Sequence, residues 1–334
     1  MFDYMHSAPA AQVRLLQVGD AGQGQRLDNF LARHLKGVPR SHIYRIVRSG
    51  EVRVNGARAS AEQKLLASDQ VRIPPVRVAA AQTPRPAPAL QFPVVYEDDD
   101  LLAIDKPAGV AVHGGSGVSF GVIEALRAAR PQAKCLELVH RLDRETSGLL
   151  LVAKKRSALT ALHAALRERQ ADKRYIALVA GLWRGGAQTV DAPLYKYLLS
   201  SGERRVRVDT QQGQEARTQF RPLEQFALPG LGRWDGLTLM QARLLTGRTH
   251  QIRVHLAHCG HPIVGDDKYG DEALNQALAR GQVAGLPSFK RMALHAASLA
   301  IAHPATGQRL MLQAPLPAQW TQWLDTLRAQ CATG

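Results

Sequence analysis

The stretch HRLDRETSGLLLVAKK, residues 140–155, is a charged turn emptying into a wholly apolar strand. Asp143 sits between Arg141 and Arg144, and Leu149–Ala153 follows without a polar residue. An Asp in such a turn is ordinarily a cap or a salt-bridge partner, so pattern alone does not make it catalytic.

Outward from this stretch, short apolar or alternating runs predict strands at Val94–Tyr96, Leu101–Ile104, Tyr175–Val179, Leu237–Leu245 and Leu294–Ile301. Helices fit Val122–Arg130, which stops before Pro131, and Ser157–Arg169, with Leu159, Leu162 and Leu166 on one face. A last helix fits Ala318–Ala329, whose Trp320, Trp323, Leu324 and Leu327 form a core stripe. The run HQIRVHLAHCG (250–260) reads as a helix ended by Gly260. Strands and helices do not alternate strictly, which disfavours a doubly wound nucleotide-binding sheet.

Ahead of this mixed region lies a small basic module. Leu27, Phe30, Leu31 and Leu35 share one helical face, and Ser41 is expected to cap a second short helix with Ile43, Ile46 and Val47 inward. Val52–Gly56 alternates and closes on an Asn-Gly hairpin turn, and Val71 and Ile73 alternate again. Arg40, Arg45 and Arg48 then fall mostly to one side, beside a hairpin carrying Arg53 and Arg58, a surface suited to RNA. A Pro/Ala-rich segment unsuited to a packed element separates the two parts. The boundaries read as a tail over 1–20, the module over 21–78, a linker over 79–92 and the large domain over 93–330.

The 334 residues carry 43 Lys and Arg against 28 Asp and Glu, a net charge of +15, and 33 of the bases are arginines. Arginine's planar fork grips phosphate oxygens in pairs and stacks on bases, so the balance points to nucleic acid. No apolar run approaches the ~20 residues of a membrane helix, and no basic-then-apolar leader opens the chain. Three scattered cysteines form no CxxC pair, and the expected compartment is the reducing cytoplasm. No P-loop or dinucleotide fingerprint is present, so no nucleotide cofactor is expected. The glycine loop Gly114–Gly117 either offers backbone N–H groups to a phosphate or is a plain turn. His250, His255, His258, Cys259 and His261 crowd together without an acid inside the run, and no metal is expected there.

The run at 140–155 resembles the H-R-L-D-x-x-T-S-G signature of the RluA family of pseudouridine synthases, which convert selected uridines in RNA to pseudouridine. LLAIDKPAGVAVH (101–113), KRYIALVAG (173–181) and TGRTHQIRVHLAHCGHPIVGD (246–266) resemble its other motifs in the expected order, and the front module resembles the S4 RNA-binding domain. Asp105 stands where Asn is frequent in the family. Together with residues 36–55 and 71–78, the segment VHGGSGVSFGVIEALR (112–127) is similar to the branch that modifies several uridines of 23S ribosomal RNA.

The resemblance implies an α+β fold, with a mixed, largely antiparallel sheet in the catalytic domain and a small S4-like domain before it. It implies Asp143 as the catalytic carboxylate, Arg253 as its ion-pair partner, and Tyr175 against the uracil ring as a candidate to assist loss of the C5 proton. Arg141, Lys106, His113, Arg248 and His250 are expected to contact RNA, as are Arg40, Arg45, Arg48 and Arg53 of the front module. The reaction needs no redox step or outside group, so no cofactor is implied; the expected partner is 23S ribosomal RNA and the expected state a monomer. The alternatives are a non-catalytic ribosome-binding factor of the same fold, or the same reaction on transfer RNA.

Overall fold

The computed structural model describes residues 12–19, 22–35, 37–76, 88–115, 120–200, 202–283 and 285–332. The chain forms two compact units, Met1–Pro86 and Ala87–Gly334. Most of the expected tail and linker, and Ser116 and Gly117 of the glycine loop, lie outside the described residues.

In the first unit, β1 (Arg14–Gln17), β4 (Gln70–Ile73), β2 (Arg53–Val54) and β3 (Ala57–Arg58) make an antiparallel sheet in that order. Two helices, α1 (Leu27–His34) and α2 (Arg40–Arg48), bury Leu27, Phe30, Leu31, Ile43, Ile46 and Val47 with Val52, Val54, Val71 and Ile73. The hairpin between β2 and β3 turns on Asn55 and Gly56, both at positive φ (51° and 79°), as a two-residue turn of matching twist demands. The start of α2 departs from expectation: the capping position is Pro39, not Ser41, and no side chain caps it. Proline fits there because it lacks the N–H that the first turn would leave unsatisfied.

In the second unit a ten-stranded sheet runs in the order β10 (Gln188–Asp191), β13 (Arg217–Leu231), β14 (Trp234–Leu244), β9 (Asp172–Ala180), β15 (Leu294–Ala302), β8 (Ser147–Ala153), β6 (Leu101–Lys106), β5 (Val94–Glu97). Short strands β16 (Arg309–Gln313) and β7 (Glu137–Leu138) flank β15 and β8. Every pairing is antiparallel except β8 with β15. A separate hairpin joins β11 (Leu194–Leu198) and β12 (Arg204–Val208).

Strand β8 explains why Leu149–Ala153 is wholly apolar: all seven residues of the strand are buried. Leu150 and Val152 face one core with α3 (Val122–Ala129) and the Trp320/Trp323 face of α6 (Ala318–Ala332), while Leu149 and Leu151 face the other with α4 (Arg156–Arg167). Its second residue must be glycine. Gly148 has φ +105°, and a Cβ there would lie 2.3 Å from the Ala296 carbonyl oxygen across the parallel pairing. The expected strands and helices all appear. The 15-residue β13 was not among them; its Pro222 sits at a register shift, where a missing donor is tolerated.

Beside this parallel pair His295 is fully buried, with Nδ1 2.8 Å from Ser147 Oγ and Nε2 3.3 Å from the Ala314 carbonyl. Burial holds its pKa down to about 4. Between pH 6.5 and about 4 the unfolded chain therefore binds a proton at this ring that the folded chain refuses. Stability is full above that window and falls as pH drops through it, by about 3 kcal/mol in all. Urea unfolding at stepped pH values checks this: in His295→Gln the acid-side slope is expected to lose the equivalent of one proton, and an unaltered slope would refute the assignment.

Candidate active site

The turn between β7 and β8 is set from within. Lys106, the last residue of β6, is fully buried, and its Nζ donates to the carbonyls of Pro107 (2.8 Å), Val110 (2.8 Å) and Arg144 (3.0 Å). Burial lowers its pKa to about 8. The RNA contact expected of Lys106 is thereby corrected: its three donors are consumed by carbonyls, and it ties the turn bearing Asp143 to the end of β6.

From across the sheet, α5 (Gln251–His258) delivers Arg253 to this turn. Arg253 Nη1 donates to Asp143 Oδ2 at 3.2 Å, while Nε and Nη2 clasp Asp266 at 2.7 and 2.6 Å. Nη2 also reaches Asp267 Oδ1 at 3.2 Å, and the guanidinium carbon stands 5.2 Å from the Tyr269 ring centroid. Burial opposes the charge on Arg253, but Asp266 and Asp143 outweigh it and hold its pKa above the ordinary value. Asp266 is shifted down despite its own burial, chiefly by Arg253. The fork is thus committed first to Asp266 and grips Asp143 by one oxygen only. Asp143 Oδ1 is left facing the cleft, with His250 Nε2 3.9 Å away.

The cleft around Asp143 has a volume of about 540 Å³, within the range of small-ligand sites. Tyr175 on β9 forms part of its wall; the side chain is buried, and burial, with Asp143 adding, drives the phenol well above its usual range. Tyr175 therefore keeps its proton. Arg141 and Arg248 line the rim, Arg248 Nε donating to the Glu215 carbonyl at 3.0 Å. Gln251 holds the segment before α5 in place, accepting from Thr246 Oγ1 (2.8 Å) and the Arg248 N–H (2.9 Å) and donating to the Arg217 carbonyl (2.9 Å). Lys173, half-buried on β9, adds a cation whose pKa burial lowers.

Of the residues expected from sequence, the structure brings Arg141, Asp143, Tyr175, Arg248, His250 and Arg253 to this one cleft. His113 does not line it: that ring precedes α3, is exposed, and lies 2.9 Å from the Gly114 carbonyl. The Gly114 and Gly121 N–H groups both donate to Glu124 Oε2, at 3.1 and 2.8 Å. Arg45, Arg48 and Arg53 are exposed on the first unit, where Arg40 opens α2. His255 has both ring nitrogens engaged, by Thr218 Oγ1 and the Ala192 carbonyl at 2.9 Å each. Asp98, Asp100 and His303 stand close enough to share an ion, but Asp98 already accepts from Tyr96, His303 and two backbone N–H groups, and Asp100 pairs with Lys155.

A profile of RNA pseudouridylate synthase matches residues 100–258, and one of the S4 domain matches residues 25–71. The ribosomal large subunit pseudouridine synthase C of Salmonella typhimurium is 51% identical over 322 residues, covering 95% of this chain and 97% of that one. This chain belongs to the RNA pseudouridylate synthase family. The Escherichia coli K12 protein of the same name is 50% identical over the same shares of the two chains. Among solved structures, human RNA Pseudouridylate Synthase Domain Containing 4 aligns with a TM-score of 0.55 at 26% identity, covering 71% of this chain and 93% of that one. Lys173 lines the cleft, and Asp266 and Tyr269 stand behind it against Arg253; none of the three was singled out from the sequence. Lys173 and Asp266 do lie at the ends of quoted motifs, 173–181 and 246–266, but local pattern gives neither a role.

Proposed function

We propose that this pseudouridine synthase isomerises several uridines of 23S ribosomal RNA through the single carboxylate of Asp143, with no cofactor. The observation that carries the reading is Asp143 in a nucleotide-sized cleft, one oxygen held by a buried Arg253 and the other left open. Isomerisation breaks the N1–C1′ bond, turns the uracil, joins C5 to C1′ and releases the C5 proton. The base that leaves is the base that returns, so no second carboxylate is needed to activate water, unlike in a glycosidase.

A stacked uridine cannot present its glycosidic bond to a side chain, so the target is flipped into the cleft. Tyr175 lies against the uracil; still carrying its proton, the phenol packs on the base and does not itself take the C5 proton. Arg141, Arg248 and Lys173 face the incoming strand, and the exposed arginines of the S4 domain add affinity for the larger RNA. The relatives named for the large ribosomal subunit support that substrate. The enzyme acts as a monomer in the cytoplasm, with domains over 21–78 and 93–330, the first extended by β1 (Arg14–Gln17) into the expected tail; among the described residues no helix is long and apolar enough to cross a membrane.

Incubation with unmodified 23S and transfer RNA transcripts, in buffer containing a chelator, tests the proposal. Discrete pseudouridines in the 23S transcript are expected. Modification of transfer RNA alone, or none with either, would refute it.

A further inference from the structure

His250 occupies an unusual position for its residue type. It sits just before α5 with left-handed backbone angles (φ 54°, ψ 19°), a region that side-chain-bearing residues seldom adopt. Strain of this kind persists only where the surroundings fix it, and an observed outlier at a site is grounds for a functional hypothesis. What fixes it here is Tyr269, whose hydroxyl lies 2.8 Å from His250 Nδ1 and accepts the N–H of Val206 on β12 at 2.9 Å.

Proton placement points to one tautomer. Tyr269 is held protonated, burial pushing its phenol up to about 12. Its hydroxyl has one hydrogen, and the acceptor placed to receive it is His250 Nδ1. The ring's own hydrogen then sits on Nε2, the nitrogen that looks toward Asp143 Oδ1 at 3.9 Å. Arg253 Nη1 holds the opposite oxygen, Oδ2.

We propose that His250, locked as its Nε2–H tautomer by Tyr269, is a positioning residue that fixes the second oxygen of the catalytic carboxylate. The inference rests on the Asp143-centred isomerisation above and deepens it. A neutral N–H suits the task. It orients Oδ1 as the flipped nucleotide displaces water and the gap closes, without adding a second full positive charge that would blunt the carboxylate. The groups facing the ring agree with neutrality. Burial pushes its pKa down, Asp143 and Asp266 pull against that, and Arg253 and Lys268 add to it. Tyr269, by donating to Nδ1, favours the neutral form as well.

The test uses the full-length protein, with single-turnover rates and RNA affinity measured in parallel. His250→Ala is expected to slow conversion about 100-fold, the scale of a misplaced reacting group, with RNA affinity changed less than about threefold. His250→Gln, which returns an N–H near the Nε2 position, is expected to recover most of that loss. Tyr269→Phe is expected to move a low-pH inflection of the rate upward, because the imidazole then protonates more easily. Nitrogen NMR of the wild-type imidazoles, with His250 assigned by difference, is expected to show the Nε2–H form from pH 6 to 8. An Nδ1–H or doubly protonated ring, an unslowed His250→Ala, or a loss confined to affinity overturns the proposal. Absence of pseudouridine with the wild-type protein instead overturns the underlying reaction, and the NMR still decides the tautomer.

Discussion

Asp143→Asn is expected to reduce single-turnover pseudouridine formation by about 10⁴-fold or more, the scale on which removing a central catalytic group acts, and to leave folding intact. The two outcomes have one structural cause. Arg253 is clasped by Asp266 through two hydrogen bonds of 2.7 and 2.6 Å and touches Asp143 through one of 3.2 Å. When the Asp143 charge is removed, the guanidinium is not stranded, because Asp266 still compensates it. The cost to folding is therefore that of a partly exposed polar exchange, about 1 kcal/mol or less. For the reaction nothing replaces the carboxylate, since an amide neither attacks carbon nor accepts a proton at neutral pH. RNA affinity is expected to stay within a few-fold, because the cations at the rim are untouched. The measurements are rapid-quench turnover, RNA binding and thermal unfolding on the same preparation. A variant that turns over within tenfold of wild type would remove Asp143 from the chemistry.

Much of this site was legible because its residues sit where local pattern and long-range placement agree. The charged turn at 140–146 had to precede a buried strand, and Leu149–Ala153 is buried between two layers as its composition demanded. The Trp320/Trp323 stripe likewise went to the core. Legibility ended where function depends on which way a long polar side chain turns. Lys106 was expected to contact RNA, yet its ammonium folds inward onto three carbonyls, and nothing in the letters of residues 101–113 says so. The same limit hid β13, whose Pro222 breaks the ladder only locally because a register shift absorbs the missing donor.

Asp266 shows the other side of that limit. It lies 13 residues after Arg253, beyond helix α5 and a turn, a spacing with no helical or strand periodicity to flag the pair. Its importance is three-dimensional. Asp266 Oδ1 also accepts the backbone N–H groups of Lys268 and Tyr269, at 2.9 and 3.1 Å, so one carboxylate both anchors Arg253 and shapes the loop that carries Tyr269. The cleft's chemistry is thus built on an acid at the end of a quoted motif whose role no local pattern gives away.

Asp266→Asn is therefore expected to do what Asp143→Asn does not. Arg253 is nearly fully buried, and loss of its bidentate partner leaves a charge whose remaining contacts are single bonds of 3.2 Å to Asp143 and Asp267. Breaking a buried pair from one side costs about 3–5 kcal/mol, which for a domain of this size lowers the melting temperature by roughly 10 °C. Activity should fall too, by about 100-fold, because the freed fork swings onto Asp143 and draws its reactive oxygen out of position. A second variant separates the two effects. In Arg253→Met/Asp266→Leu the buried charge and its partner leave together, and an apolar replacement of an ion pair is often neutral for folding. That double variant is expected to regain much of the lost melting temperature and none of the activity. If thermal unfolding showed Asp266→Asn as stable as wild type, Asp266 would not anchor Arg253. If the double variant turned over normally, the guanidinium would have no part in holding the carboxylate.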